Sequence, residues 1–281
     1  MEGHVWCMIE ELLGAVDGRP ARCQYSNREI LRVTLWAVLH DRPMSWACEA
    51  ISWPETLRPA RLPDDSTISR RWKGASLIEQ ADLLYETSLR RFAPGRDAVV
   101  DGRPLPVGGC SKDPDARAGR SAGGMGKGYK MHALVDLRHV ILAYEVRPMN
   151  EAEQTVAIDL MTRSPKTTTR LLGDGAYDSM RLHRCVHELG KKLYTPLREK
   201  RVGRRQQPRR LQLLRLWARP IGRRYLKLRD EVERAFAQST NVAIGFKGLP
   251  PWARRQQRVK RWIWGKNLIH HAWLLTRPRA A

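Results

Sequence analysis

Along the first 95 residues the apolar positions recur at helical spacing and never settle into strand alternation. The clearest stretch is Ser26 to His40, where Ile30, Leu31, Thr34, Leu35, Val38 and Leu39 form one stripe. Ser26 with Glu29 three residues on is a capping box, which predicts a helix starting there. A second helix is predicted from Asp65-Ser66, carrying Ile68 and Trp72 and continuing past Gly74 with Leu77, Ile78, Leu83 and Leu84. Between them, Asp41-Arg42-Pro43 and Trp53-Pro54 break the chain. Arg70, Arg71 and Lys73 lie close together, so these helices suit either a helix-turn-helix-like DNA reader or plain helical packing. Phe92-Ala93-Pro94-Gly95 then marks a boundary, giving a helical region over 1–95 and a second domain over 96–281.

Past that boundary the pattern changes. Asp97 to Gly102 reads as a strand, and the Gly-rich stretch from Gly108 to Gly128 as a long loop. Tyr129–Val135 and Val140–Val146 read as an antiparallel hairpin. A helix over Glu151–Thr162, a strand over Arg170–Asp174, a helix over Ser179–Leu189 and a strand over Lys192–Thr195 complete the series. Three antiparallel strands followed by alternating helix and strand resemble the order of the ribonuclease H fold. The expected class is therefore α/β: a ribonuclease H-like mixed five-stranded sheet with flanking helices, preceded by a mostly helical amino-terminal region.

Composition narrows the function. The chain has 281 residues, enough for a real core, and a formal net charge of +22, with a pI near 10.5. That charge calls for a polyanionic partner, nucleic acid first. From Arg198 to Arg229 acids almost vanish, leaving Glu199 among Arg201, Arg204, Arg205, Arg209, Arg210, Arg215, Arg219, Arg223, Arg224 and Lys227. The run reads as a basic connection tracking a DNA backbone, with a solvated linker as the alternative for 198–210. No apolar run reaches about 18 residues, so no membrane span is expected. With no signal peptide read at the start, a cytoplasmic protein is expected. Cys7, Cys23, Cys48, Cys110 and Cys185 are odd in number and scattered, which excludes a disulfide frame or zinc knuckle.

Two segments carry the candidate chemistry. Ala98-Val99-Val100-Asp101-Gly102 and Leu171-Leu172-Gly173-Asp174-Gly175 each run an apolar stretch into aspartate and glycine. A carboxylate at a strand exit is costly unless bonded, paired or bound to metal, and the glycines leave room for a ligand to approach. A third acid, Glu233, lies on a downstream helical segment among arginines. Two strand aspartates and a helix glutamate within positive charge form a layout for holding Mg2+ against nucleic acid, since hard cations take oxygen ligands and Mg2+ needs few of them from protein. Glu231, two residues away and about 200° around the helix, is the rival third acid. Lys127 and Lys130 are read as DNA contacts, His132 as a hydrogen-bonded core histidine, and Asp178-Ser179 as the cap of the following helix. Trp252, Trp262, Trp264 and Trp273 are read mostly as core.

Four stretches in this order resemble the DDE transposases of bacterial insertion sequences, in the group spanning the insertion-sequence 4 and 5 families. They are Val99-Val100-Asp101-Gly102-Arg103-Pro104-Leu105-Pro106, Gly128-Tyr129-Lys130-Met131-His132-Ala133-Leu134-Val135-Asp136, Leu172-Gly173-Asp174-Gly175-Ala176-Tyr177-Asp178-Ser179 and Arg229-Asp230-Glu231-Val232-Glu233-Arg234-Ala235-Phe236. Leu35 to Pro43 is similar to the helical region such proteins carry ahead of the catalytic domain. The resemblance puts the catalytic and metal-binding triad on Asp101, Asp174 and Glu233. It implies two Mg2+ ions, with Mn2+ able to substitute, Asp101 bridging them and the other two acids each completing a shell. It implies cleavage at terminal inverted repeats and strand transfer into target DNA, by a homodimer on double-stranded DNA that is nucleoid-associated when bound. Lys127, Lys130, Arg204, Arg205, Arg223, Arg224 and Arg229 are the expected DNA-binding residues. Arg229 stands four residues before Glu233 as the family pattern requires, whereas Tyr225 falls one residue early and Thr240 occupies the expected lysine position, with Lys247 as a substitute. The alternative is a catalytically inactive, transposase-derived DNA-binding protein.

Overall fold

The computed structural model describes residues 2–16, 18–121, 123–196, 208–240, 246 and 248–277. They divide into two compact units: Met1–Phe92 with Ser239–Ala253 and Arg261–Ala281, and Ala93–Gln238 with Arg254–Lys260.

The first unit holds α1 (Glu2–Leu13), α2 (Asn27–Leu39), α3 (Met44–Ala47), α4 (Asp65–Arg71) and α5 (Ala75–Arg90). Ser26 caps α2 through the expected box, its hydroxyl accepting the Glu29 N–H while Glu29 accepts the Ser26 N–H. The second predicted helix is two, α4 and α5, interrupted at Trp72–Gly74. Trp6, Trp36 and Trp53 form a buried aromatic cluster. The last helix, α11 (Gln256–Leu275), brings Trp262, Trp264 and Trp273 into the core as expected. Lys266 is fully buried against Asp41 at 3.0 Å.

The second unit is built on β1 (Asp97–Pro106), β2 (Arg117–Ser121), β3 (Gly124–Asp136), β4 (Ile141–Pro148), β5 (Arg170–Leu172) and β6 (Lys192–Tyr194). Its helices are α6 (Glu153–Thr162), α7 (Met180–Glu188), α8 (Pro208–Trp217), α9 (Pro220–Lys227) and α10 (Asp230–Gln238). The sheet runs β2-β3-β1-β5-β6, with β4 also on β3. The order β4-β3-β1-β5-β6, antiparallel on one side of β1 and parallel on the other, is the expected ribonuclease H-like arrangement.

Among the described residues the sheet carries one strand, β2, beside the expected five. The Gly-rich stretch is not all loop, because Arg117–Ser121 pairs with Gly124–Gly128. A side chain at Gly119 would sit 2.3 Å from the Met149 carbonyl, so glycine permits that strand to close in. The rest of the loop is pinned as well, with Asp113 accepting the Tyr129 hydroxyl at 2.9 Å and the Arg255 N–H at 2.8 Å.

Candidate active site

The register of β1 on β5 sets the geometry. Val99 pairs with Leu172; two residues further along each chain come Asp101 and Asp174, so the parallel pairing delivers the two aspartates side by side. Asp101 is half-buried on β1, its Oδ1 accepting the Gly102 N–H at 2.7 Å. Asp174 stands just past β5, its Oδ1 accepting the Ala176 N–H at 2.7 Å as the cap of a short 3-10 turn, Gly175–Tyr177. Burial, and then the negative charges of Asp174, Glu153 and Glu233, push the Asp101 carboxyl up from its ordinary 3.8 to about 6. Three acids from three other segments therefore act on Asp101 in the middle of β1.

The third acid arrives on α10, which packs on β1 and β3. Arg103 fastens it: its guanidinium donates to the Phe236 carbonyl at 3.1 Å and lies over the Phe236 ring. By strand alternation Arg103 shares the Asp101 face. Burial pulls its guanidinium down to about 10, still cationic at neutral pH. The rival acids separate physically. Glu231 is tied to His139 Nε2 at 3.0 Å, in the β3–β4 turn, and to Arg234. Glu233 is exposed, and its charge is the one felt at Asp101.

Among the described residues no three His, Cys, Asp or Glu side chains stand close enough to hold one ion. The donor set is hard carboxylate oxygen, and the repulsion at Asp101 is what a divalent cation relieves, so these residues suit such an ion chemically.

A sequence model of the transposase DDE domain matches residues 93–270. The chain belongs to the DDE transposase family. It is also similar in fold to piggyBac transposase, seen by cryo-EM in a synaptic complex with hairpin DNA. The TM-score is 0.51 over 98% of this chain and 74% of that one, at 11% identity. No curated protein matches the sequence.

Within this transposase the expected DNA contacts divide. Arg223 and Arg224 are exposed on α9, where with Pro220, Ile221 and Lys227 they line an open basic groove. Arg229, between α9 and α10, is half-buried, and Lys127 donates to the Ser111 carbonyl at 2.8 Å. Arg204, Arg205 and Lys247 lie outside the described residues. Lys130 is turned inward rather than presented at the surface: it is 7% exposed and its ammonium is 2.6 Å from Glu153. His132 is buried as expected but not hydrogen-bonded, since neither ring nitrogen has a partner among the described residues. Burial and then Lys130 push it down to about 4, so it is neutral at pH 7. Ser179 alone caps α7, while Asp178 faces His183 at 3.4 Å. Tyr225 donates to Asp97, and Arg170, the register partner of Asp97 on β5, reaches the same carboxylate while lying over the Tyr225 ring. That contact anchors α9 and turns its arginines outward.

Sequence reasoning missed Glu153, Arg103 and Tyr177. Glu153 carries only the signature of an acid in a first helical turn, which ordinarily complements the helix dipole. Gly102 leaves room not for a ligand but for a neighbour, since a Cβ there would meet Lys130 Cδ at 2.8 Å; on the other segment Gly173, ahead of Asp174, admits the Tyr177 ring, which a Cβ would meet at 2.9 Å.

Proposed function

We propose that this chain is an active transposase that binds the terminal inverted repeats of its insertion sequence, cuts there and joins the freed strand to target DNA. The observation that carries the reading is the parallel register Val99–Leu172, which brings Asp101 and Asp174 together beneath the helix bearing Glu233. These three would hold Mg2+, or Mn2+ in its place. Such ions polarise phosphoryl oxygen, lower the pKa of bound water and stabilise the leaving oxygen. Asp101 and Asp174 supply fixed oxygens on the sheet, and Glu233 supplies one on a helix that Arg103 and Glu231 hold in place. The exposed Arg223, Arg224 and Lys227 would grip phosphate along the incoming strand, with Lys127, Arg229, Arg204 and Arg205 extending that track. The helical amino-terminal region would read the element's ends. The partner is double-stranded DNA, engaged by a homodimer so that both ends are cut together. The working compartment is the cytoplasm, on the nucleoid; among the described residues no helix is long and apolar enough to cross a membrane.

The test is Mg2+-dependent nicking of DNA carrying the inverted repeats that flank the gene. Asp174→Asn is expected to bind this DNA as wild type does and to leave it uncut. An Asp174→Asn protein that still nicks would overturn the triad, and a wild-type chain that binds without nicking in Mg2+ or Mn2+ would establish the inactive DNA-binding alternative.

A further inference from the structure

The first turn of α6 bonds to Lys130 on β3, which leans over Gly102 next to Asp101, and to the turn that holds Asp174. Glu153 accepts from Lys130 at 2.6 Å. Lys130 pairs in register with Pro104 but leans across Gly102, its Cδ filling the space of the missing Cβ, so the pair crosses β1 next to Asp101. The following residue, Gln154, donates its side-chain amide to the Ala176 carbonyl at 2.8 Å. Ala176 is the residue whose N–H binds Asp174. One helical turn is thereby fastened through Lys130 to the strands beside Asp101 on one side, and through Gln154 to the Asp174 turn on the other. Between them lies a second sign that the space is built for a ligand: Tyr177 is fully buried, its hydroxyl has no partner among the described residues, and the charges it feels are those of Glu153, Asp101 and Asp174.

We infer that Glu153 and Gln154 are positioning residues, forming with Lys130 a bracket that sets the spacing of Asp101 and Asp174 for a divalent cation. The inference rests on the acid-site reading above. An ion pair that is mostly out of water is geometrically strict, because either partner alone would be left as an uncompensated buried charge. Groups that orient metal ligands without touching the metal commonly govern affinity by about 10–100-fold. Neither Glu153 nor Gln154 needs to reach the ion.

The experiment is Mn2+ titration by calorimetry on the full chain without DNA, with thermal unfolding in EDTA as the measure of folding. The variants are Gln154→Ala and the double change Lys130→Met with Glu153→Gln, which removes both charges and orphans neither. Both are expected to unfold cooperatively near the wild-type temperature and to bind Mn2+ about tenfold more weakly, with Lys130→Arg staying within about threefold of wild type. Asp101→Asn is the control and is expected to abolish binding. Folded bracket variants that bind Mn2+ like wild type, while Asp101→Asn does not, overturn the bracket alone. Bracket variants without a cooperative transition in EDTA also overturn it, since the pair would then serve stability. Undiminished binding by Asp101→Asn overturns the acid-site reading beneath it.

Discussion

Replacing Asp101 by Asn removes one negative charge from the middle of β1 and keeps an oxygen for the Gly102 N–H. The carboxyl is held up from 3.8 to about 6 by burial and by Asp174, Glu153 and Glu233, a displacement of about 3 kcal/mol at 25 °C. Because the folded-state value is raised, the native state keeps its full stability below pH 4 and loses this amount as pH climbs through about 6. Asp101→Asn therefore gains about 3 kcal/mol over wild type at pH 7.5 and about half of that at pH 5. At roughly 2–4 °C per kcal/mol for a large domain, the gain at pH 7.5 is a Tm rise of about 6–12 °C. The assay is thermal unfolding of both proteins in EDTA at pH 7.5, 6 and 5, repeated at pH 7.5 with saturating Mn2+. There the wild type closes the gap because only it binds the ion well. An Asn variant no more stable than wild type at pH 7.5, or equally advantaged at pH 5, would refute the idea that like charges strain this site.

Three further outcomes follow from named contacts. Glu233→Gln is expected to abolish Mg2+-dependent nicking, whereas Glu231→Gln retains it and loses about 1 kcal/mol in urea unfolding, the worth of its bond to His139. Asp41→Asn keeps a residue that tolerates the positive φ of 52° there but strips Lys266 of a charged partner at 3.0 Å; a loss of about 3 kcal/mol of unfolding free energy in urea, with nicking by the folded protein unchanged, is expected. Replacing Arg223 and Arg224 together by Gln lowers affinity for any duplex and flattens the salt dependence of binding by about two in slope, as measured by fluorescence anisotropy across a salt series.

Much of this architecture can be read from periodicity, because periodicity reports which face of an element is dry. The capping box at Ser26, the β1 and β5 segments and the buried stripe of α11 are all of this kind. What periodicity does not report is which partner a polar group finds across the fold. Arg117 to Ser121 has the composition of a loop and becomes a strand only because Gly119 admits the Met149 backbone. Lys130 looks like a surface cation on a strand, yet a carboxylate from another element draws it inward past Gly102. Helical angle alone leaves Glu231 and Glu233 open, and the bond that occupies Glu231 comes from His139 in a distant turn. These readings share one cause: long-range ion pairs leave no local signature in the residues that make them. The proposed acid site is thus visible in sequence as three motifs, while Arg103, Lys130 and Glu153, which we propose hold it in shape, become visible only through their contacts. A search for activity determinants in related chains should therefore ask whether a cation can cross the first strand to meet an acid on the helix after the hairpin, in addition to whether the three acids are present.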